Sequence, residues 1–288
     1  SSDLWSYSGQ QANDWSHIHN LAGVYSSTSG YSSFPYGQGW YTMYQIMGST
    51  KDFQYGALGQ VSWSNEITSL KQPPSSQIPM YYSYNVPAMT EMIKRVGWGV
   101  EGLITDSVTG SPVRAAVFVG NYYPVFTDPV VGDYHKFVLP GTYSITVKAS
   151  GYTTKTITGI TVAAESSTVT NIQLTPVDEW YAYRAVITEI PYYSQSPVIY
   201  ADECFVPGII GPPDSVNYSI GRSGSIVIDM GDTIFNGTGD DFKVFEGDTD
   251  PESYNIHVSN SPDGPWTSMG TGTGTTGFDL SYGSVTSC

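Results

Sequence analysis

Apolar residues recur along this chain in two rhythms. After Asn13 and Asp14, a pair suited to capping a helix, Ile18, Leu21, Ala22 and Tyr25 fall at helical spacing within 15–25. A second helical face is predicted from about Val86 to Val96, where Ala88, Met89, Met92, Ile93 and Val96 align. Pro87 is tolerated in a first turn, and Gly97 ends the helix. Between these helices Val61–Ile67 reads as a short buried strand, and Pro73-Pro74 stops whatever precedes it. From Gly99 the period becomes two. Val100–Thr105, Ala115–Val119, Tyr143–Val147 and Thr156–Val162 alternate, with turn residues between them, which predicts an antiparallel β-sandwich. No internal repeat is present, and the Gly/Thr run from Gly270 to Gly277 reads by composition as a flexible loop.

Composition narrows the function classes. The 288 residues allow two or three domains, each with its own core. A formal charge of -15 with 11 Lys plus Arg argues against nucleic acid or an anionic membrane surface as partner, because phosphate binding needs a basic surface. No apolar run approaches the roughly 18 residues of a membrane span. With 23 Tyr, 31 Gly, abundant Ser and Thr and little Lys, the chain reads as an exported, β-rich protein, secreted or at a cell surface. A secreted protein is made with a leader and an initiating Met; Ser1 is preceded by neither, so the sequence reads as a processed or partial product. Cys204 and Cys288 are too few for a disulfide scaffold and lack the paired spacing of a structural zinc site. They bracket the last segment and are expected to form a disulfide in an oxidising compartment.

Candidate metal ligands are sparse. His17 and His19, two apart, point to different sides of a helix and cannot chelate one ion as an i,i+4 pair does. His135 and His257 are isolated. The acidic run Asp240, Asp241, Glu246, Asp248, Asp250 and Glu252 offers the oxygen ligands calcium takes, without the EF-hand spacing; its first five residues are the calcium candidates, and a solvated acidic loop is the alternative. Asn217-Tyr-Ser219 and Asn236-Gly-Thr238 are glycosylation sequons, meaningful only on a glycosylating secretory route.

The densest signal is Tyr44-Gln-Ile-Met-Gly-Ser-Thr-Lys-Asp-Phe53, followed thirteen residues later by Glu66-Ile-Thr-Ser-Leu-Lys-Gln-Pro-Pro74. This arrangement resembles the active-site half of a zinc carboxypeptidase of the funnelin (M14) type. The resemblance implies that Glu66 is the general base acting on a zinc-bound water, and that Tyr44 closes over the C-terminal residue of a peptide substrate. It also implies that Lys51, next to the turn residue Asp52, lies at the floor of the specificity pocket, where it would favour an acidic terminal residue. A solvated loop lysine is the alternative for Lys51. The family takes its zinc ligands from a His-x-x-Glu motif and a later His, and this chain has no His-x-x-Glu. Leu4–Tyr7 is similar to the segment just beyond that later His, so the ligands are expected upstream of Ser1.

Two further resemblances complete a multidomain reading. Gly102–Val113, Leu139–Val147 and Ser150–Tyr152 resemble the transthyretin-like domain that follows the catalytic domain in regulatory-type carboxypeptidases. Ser225–Gly231 and Tyr254–Trp266 resemble strands of discoidin-like, galactose-binding jelly rolls, which hold ligands in loops at one end. Such a jelly roll would have further strands after Leu280, so this end is expected to be incomplete. The fold class expected is a partial α/β carboxypeptidase-like domain over 1–97, a transthyretin-like sandwich over 98–176 and a jelly-roll-like sandwich over 177–288. The expected function is part of a secreted zinc metallocarboxypeptidase, this chain lacking the ligands and inactive alone. The rivals are a non-catalytic extracellular structural or adhesive protein, such as a filament or surface-layer subunit, and a carbohydrate-binding accessory protein. Expected partners are a peptide substrate, the N-terminal catalytic portion or other copies of the chain, and glycans.

Overall fold

The structure is a computed structural model that describes residues 2–3, 11–44, 49–189, 206–216, 218, 220, 223–247 and 251–288. The chain divides into two compact units, one holding residues 1–148 and 153–176, the other holding 149–152, 177–194 and 200–288. Among the described residues no helix is long and apolar enough to cross a membrane.

The first unit opens with helix α1 (Trp15–Thr28), which buries His17, Ile18, Leu21, Ala22 and Tyr25 as the spacing predicts, with His17 added. Helix α2 (Thr50–Leu58) begins where the sequence suggested only a turn. Ser49 and Asp52 form a capping box, each side chain reaching the other's backbone amide, and Gly59 closes the helix in the left-handed region at φ 69°. Helix α3 (Ile78–Arg95) starts eight residues before the predicted face, so Pro87 is interior rather than first-turn. Pro87 is exposed, and its missing N–H leaves the Ser83 carbonyl to be met by solvent. Glu91 and Arg95 pair one turn apart at 2.9 Å in the last turn of α3. The aromatic cluster of Tyr25, Phe34 and Ala88, extended by Tyr31, Trp63 and Met92, packs α1 against α3.

The same unit continues into two four-stranded sheets. One joins β1 (Gly99–Asp106) to β4 (Asp133–Lys136), β7 (Ser167–Val169) and β8 (Ile172–Leu174); the other runs in the order β3 (Val125–Phe126), β2 (Ala116–Val119), β5 (Gly141–Lys148), β6 (Lys155–Val162). The second sheet is antiparallel throughout, as expected. The first is not, because β7 and β8 pair with β1 in parallel. Val100, Ile104, Val117, Ile145, Val147, Ile172 and Leu174 are buried to 1% exposure or less and form the core. The Ile104–Val113 motif is a folding device: Asp106 Oδ1 accepts the amides of Val108 and Thr109, and Gly110 supplies the φ of 74° that turns the chain back.

The helical segment and the sheets are tied by a buried polar cluster. Lys136 Nζ, at the end of β4, donates to Asp14 Oδ2 at the head of α1 over 2.5 Å, with the side chains 2% and 1% exposed. The Asp14 amide donates to the Tyr55 hydroxyl at 3.1 Å, the Tyr55 ring packs at a tilt against Tyr123, and Tyr123 donates to the Gly56 carbonyl at 2.7 Å. His17 lies against Tyr122 with ring centroids 4.1 Å apart. Burial holds the Asp14 carboxyl above and the Lys136 ammonium below their ordinary ranges, each drawn back by the other's charge. Burial, then the nearby Lys136 charge, pushes His17 down to about 4.

Among the described residues of the second unit, three two-stranded antiparallel pairs form: β9 (Arg184–Glu189) with β10 (Ser225–Asp229), β11 (Phe242–Val244) with β14 (Thr276–Phe278), and β12 (Ser253–Val258) with β13 (Thr267–Thr273). Met269, Phe278 and Leu280 form its core with Phe242, Tyr254 and Ile256 around them. The Gly/Thr run expected as a loop is instead strand and turn. Its threonines favour extended backbone, and Gly274, at φ 62°, makes the turn between β13 and β14.

Two outcomes are expected. Lys136→Met should destabilise the first unit by about 3–5 kcal/mol by stranding a buried carboxylate, whereas Asp14→Leu with Lys136→Met should recover most of that loss; a denaturant-unfolding cycle measures it. Because the folded value of His17 lies below the ordinary 6.5, its contribution is complete above about pH 6.5 and declines as pH falls toward 4. His17→Phe should therefore flatten the pH dependence of unfolding in that window by up to about 3 kcal/mol.

Candidate functional site

The sequence-predicted site residues stand on three different stretches. Tyr44 follows the four-residue helix Gly39–Thr42 and is 59% exposed. Lys51 lies in the first turn of α2 and is 7% exposed, so it is not a solvated loop lysine. Its orientation follows from the cap. Asp52 Oδ2 accepts from the Ser49 amide at 3.0 Å and the Ser49 hydroxyl at 2.6 Å, which fixes the turn that carries Lys51 inward. A buried ammonium at a helix N-terminus adds to the positive end of the helix dipole, and both attract an anion. Asp52 is thus accounted for by helix initiation.

Glu66 is exposed, and 61–67 is not the buried strand the apolar pattern suggested: it is irregular, with one bridging residue at Ser64, and Trp63 packs on the aromatic cluster. What holds it is side-chain hydrogen bonding. Ser62 donates to Gln54 of α2 at 2.6 Å, Tyr31 donates its hydroxyl to the Ile67 carbonyl at 2.8 Å, and Thr68 donates to the Tyr81 hydroxyl of α3 at 3.1 Å. Tyr31 is placed by Asn85, whose amide donates to it at 2.8 Å while accepting from Tyr25 at 2.5 Å. The carboxylate of Glu66 therefore faces solvent on a backbone fastened on both sides.

The described residues do not fit a zinc centre. His17 is sealed beneath Tyr122 and Phe137 beside the Lys136 ammonium, where a second cation is repelled. His19 stacks on Trp15 and meets Tyr36 at a tilt, His135 is part of β4, where burial lowers its pKa, and His257 is exposed on β12. Among the described residues no three His, Cys, Asp or Glu side chains converge. The calcium candidates fare similarly. Asp241 is engaged by backbone, accepting from the Gly237 amide at 2.6 Å and the Leu280 amide at 2.7 Å, and so closes the 237–241 loop onto the C-terminal turn. Asp240 and Glu246 belong to no converging group among the described residues; Asp248 and Asp250 lie outside those residues. Cys288 carries a free thiol, half-buried at the edge of the second unit's core, and burial raises its pKa. Cys204, its expected disulfide partner, lies outside the described residues. Asn236 of the second sequon donates its amide to the Val285 carbonyl at 3.0 Å; Asn217 and Ser219 of the first lie outside the described residues.

Tyr55 and Lys136 were missed at sequence level, and Asp14 was read only as a cap and His17 only as a possible ligand; Asp14 does sit at the N-cap, but its side chain makes no cap hydrogen bond and pairs with Lys136 instead. The signal for Lys136 was present: Tyr134 and Lys136 share one face of Asp133–Lys136, so an inward Tyr134 carries Lys136 inward with it.

No protein-family profile matches the chain. It is 30% identical over 134 residues to carboxypeptidase D of Homo sapiens, a match covering 46% of this chain and 10% of that protein. It is 31% identical over 143 residues to carboxypeptidase E of Caenorhabditis elegans, covering 46% and 30% respectively. With the carboxypeptidase N catalytic chain of Rattus norvegicus it shares 30% identity over 138 residues, covering 48% and 29%. Among solved structures, a chain of a type II cohesin–X–dockerin complex from Acetivibrio cellulolyticus superposes with a TM-score of 0.22 at 23% identity, over 27% of this chain and 54% of that one, too low to bear on the fold. The chain spans between about a tenth and a third of the length of the curated relatives it matches. It is similar, over a little under half its own length, to part of the M14 carboxypeptidases D, E and N.

Proposed function

We propose that this chain is the C-terminal part of a secreted metallocarboxypeptidase that hydrolyses C-terminal residues of peptides, with the zinc held by polypeptide outside these 288 residues. The observation that carries the reading is Glu66: an exposed carboxylate open to water, on a backbone held next to it by the Tyr31–Ile67 and Thr68–Tyr81 hydrogen bonds. A general base requires both, since it must reach a water without wandering from it. The similarity to carboxypeptidases D, E and N supports the assignment. The chain's own residues have three roles: Glu66 takes a proton from water, Tyr44 closes over the substrate from its exposed position, and buried Lys51 with the N-terminus of α2 draws an acidic terminal residue. The transthyretin-like and jelly-roll-like assignments of the remaining segments belong to the same proposal.

Expressed together with its upstream coding sequence, the protein should release C-terminal residues from peptides, and Glu66→Gln should lower kcat by about 10²–10⁴-fold without loss of stability. Unchanged turnover in that variant removes Glu66 from the chemistry, and an inactive joined protein favours the structural reading.

Lys51 sets the second outcome. On matched peptides ending in Glu, Leu or Arg, the joined protein should prefer Glu, and Lys51→Gln, which keeps most of the bulk, should reduce that preference by about tenfold. Equal rates on all three ends in both proteins eliminate Lys51 as a specificity residue.

A further inference from the structure

Helix α3 sets one polar side chain in its buried row. Asn85 lies one turn before Ala88 and is buried with it, where α3 meets the aromatic cluster. A buried amide has to find partners for its donors and its acceptor. Nδ2 donates to the Tyr81 carbonyl at 2.7 Å and to the Tyr31 hydroxyl at 2.8 Å, and Oδ1 accepts from the Tyr25 hydroxyl at 2.5 Å.

These partners fix the direction of every bond. A carbonyl can only accept, so Tyr81 decides which end of the Asn85 amide is nitrogen. Because Nδ2 also donates to the Tyr31 oxygen, the hydroxyl is left to give its own proton elsewhere, and it goes to the Ile67 carbonyl at 2.8 Å. Tyr25 gives its proton to Oδ1 and keeps lone pairs to accept with; it shares a side-chain hydrogen bond with Asn65. The Asn65 side-chain oxygen is buried with no partner among the described residues, so the bond to Tyr25 comes from the Asn65 nitrogen. Two relays thus leave a single amide and end on Asn65 and Ile67, the residues on either side of Glu66.

We infer that Asn85 is the positioning residue of Glu66: through Tyr25 and Tyr31, one buried amide holds the residue before the carboxylate and the residue after it. The inference rests on the reading of Glu66 as a general base, which has to stay within reach of its water. The amide is chemically specific. Aspartate has the same shape and none of the donors, so at position 85 its carboxylate would take the Tyr31 proton and leave the Ile67 carbonyl without it. Tyr31→Phe cuts the same relay one step later and keeps the ring packing on Phe34 and Tyr84, each with centroids 5.1 Å away.

In the 288-residue chain, a glutamate-specific endoprotease should cut after Glu66 about tenfold faster in Asn85→Asp and in Tyr31→Phe than in the wild type. Cutting after Glu165 should not change, whereas a general loss of fold would speed both. In the protein joined to its upstream sequence, each variant should lower kcat about tenfold at an unchanged KM. Neither should cost anything further in a Glu66→Gln background, because the carboxylate they position is gone. Unchanged cutting after Glu66, or equal losses of kcat in both backgrounds, overturns the inference. Full turnover in Glu66→Gln alone overturns the peptidase reading and the catalytic part of this inference together, a result told apart by cutting after Glu66 that still accelerates.

Discussion

The Asp14–Lys136 pair is the contact around which the first unit is organised. It joins the head of α1 to the end of β4, 122 residues apart in sequence, with both side chains essentially out of water. Removing two charges from water is costly, and their attraction offsets that only when the geometry is close and neighbouring groups add hydrogen bonds. The surroundings come from several elements: Tyr55 of α2 accepts from the Asp14 amide, Tyr123 of the loop after β2 packs on Tyr55, and His17 of α1 lies against Tyr122. A misplaced helix would strand the Lys136 ammonium or the Asp14 carboxylate without its opposite charge. The cluster therefore specifies a single docking of helices on sheets more than it adds stability, which is why helical segment and sheets form one compact unit.

From that docking follows the position of Glu66. Tyr55 fixes α2, Gln54 of α2 holds Ser62, and the tyrosine and amide network between α1 and α3 holds Ile67 and Thr68. The segment is thus suspended between the helices by side chains, although it has no regular backbone pairing of its own. A segment held this way keeps the Glu66 carboxylate exposed on a positioned backbone. It also separates the positioning of Glu66 from the binding of any metal.

Much of this was legible in the amino-acid order, and the failures have physical reasons. Helix α1 and the long strands β1 and β5 were readable because each buries residues at a regular spacing, and β6 by its run of Thr, Ile and Val, although of its residues only Val162 is buried. The short strands β3, β4, β7 and β8 span two to four residues, too few for a period to emerge. Helix α2 was hidden because Gly48-Ser49-Thr50 reads as a turn; the reciprocal Ser49 and Asp52 bonds make it a helix start. The 61–67 segment has the composition of a buried strand, but no described strand completes a sheet beside it, and without a ladder the same residues lie half-exposed. Of the candidate site, the burial of Lys51 depends on which way a capped helix turns, and that is not written in its immediate neighbours.

The fastenings of the Glu66 segment are all uncharged: hydroxyl to carbonyl, hydroxyl to hydroxyl and hydroxyl to amide. Mobile ions screen exposed charges over about 8–10 Å but act weakly on neutral hydrogen bonds and on a pair as enclosed as Asp14 and Lys136. Added salt would therefore leave the framework in place while damping the self-repulsion of a chain carrying a formal charge of -15. The abundance of tyrosine then has a material meaning: it makes a scaffold whose geometry is indifferent to brine.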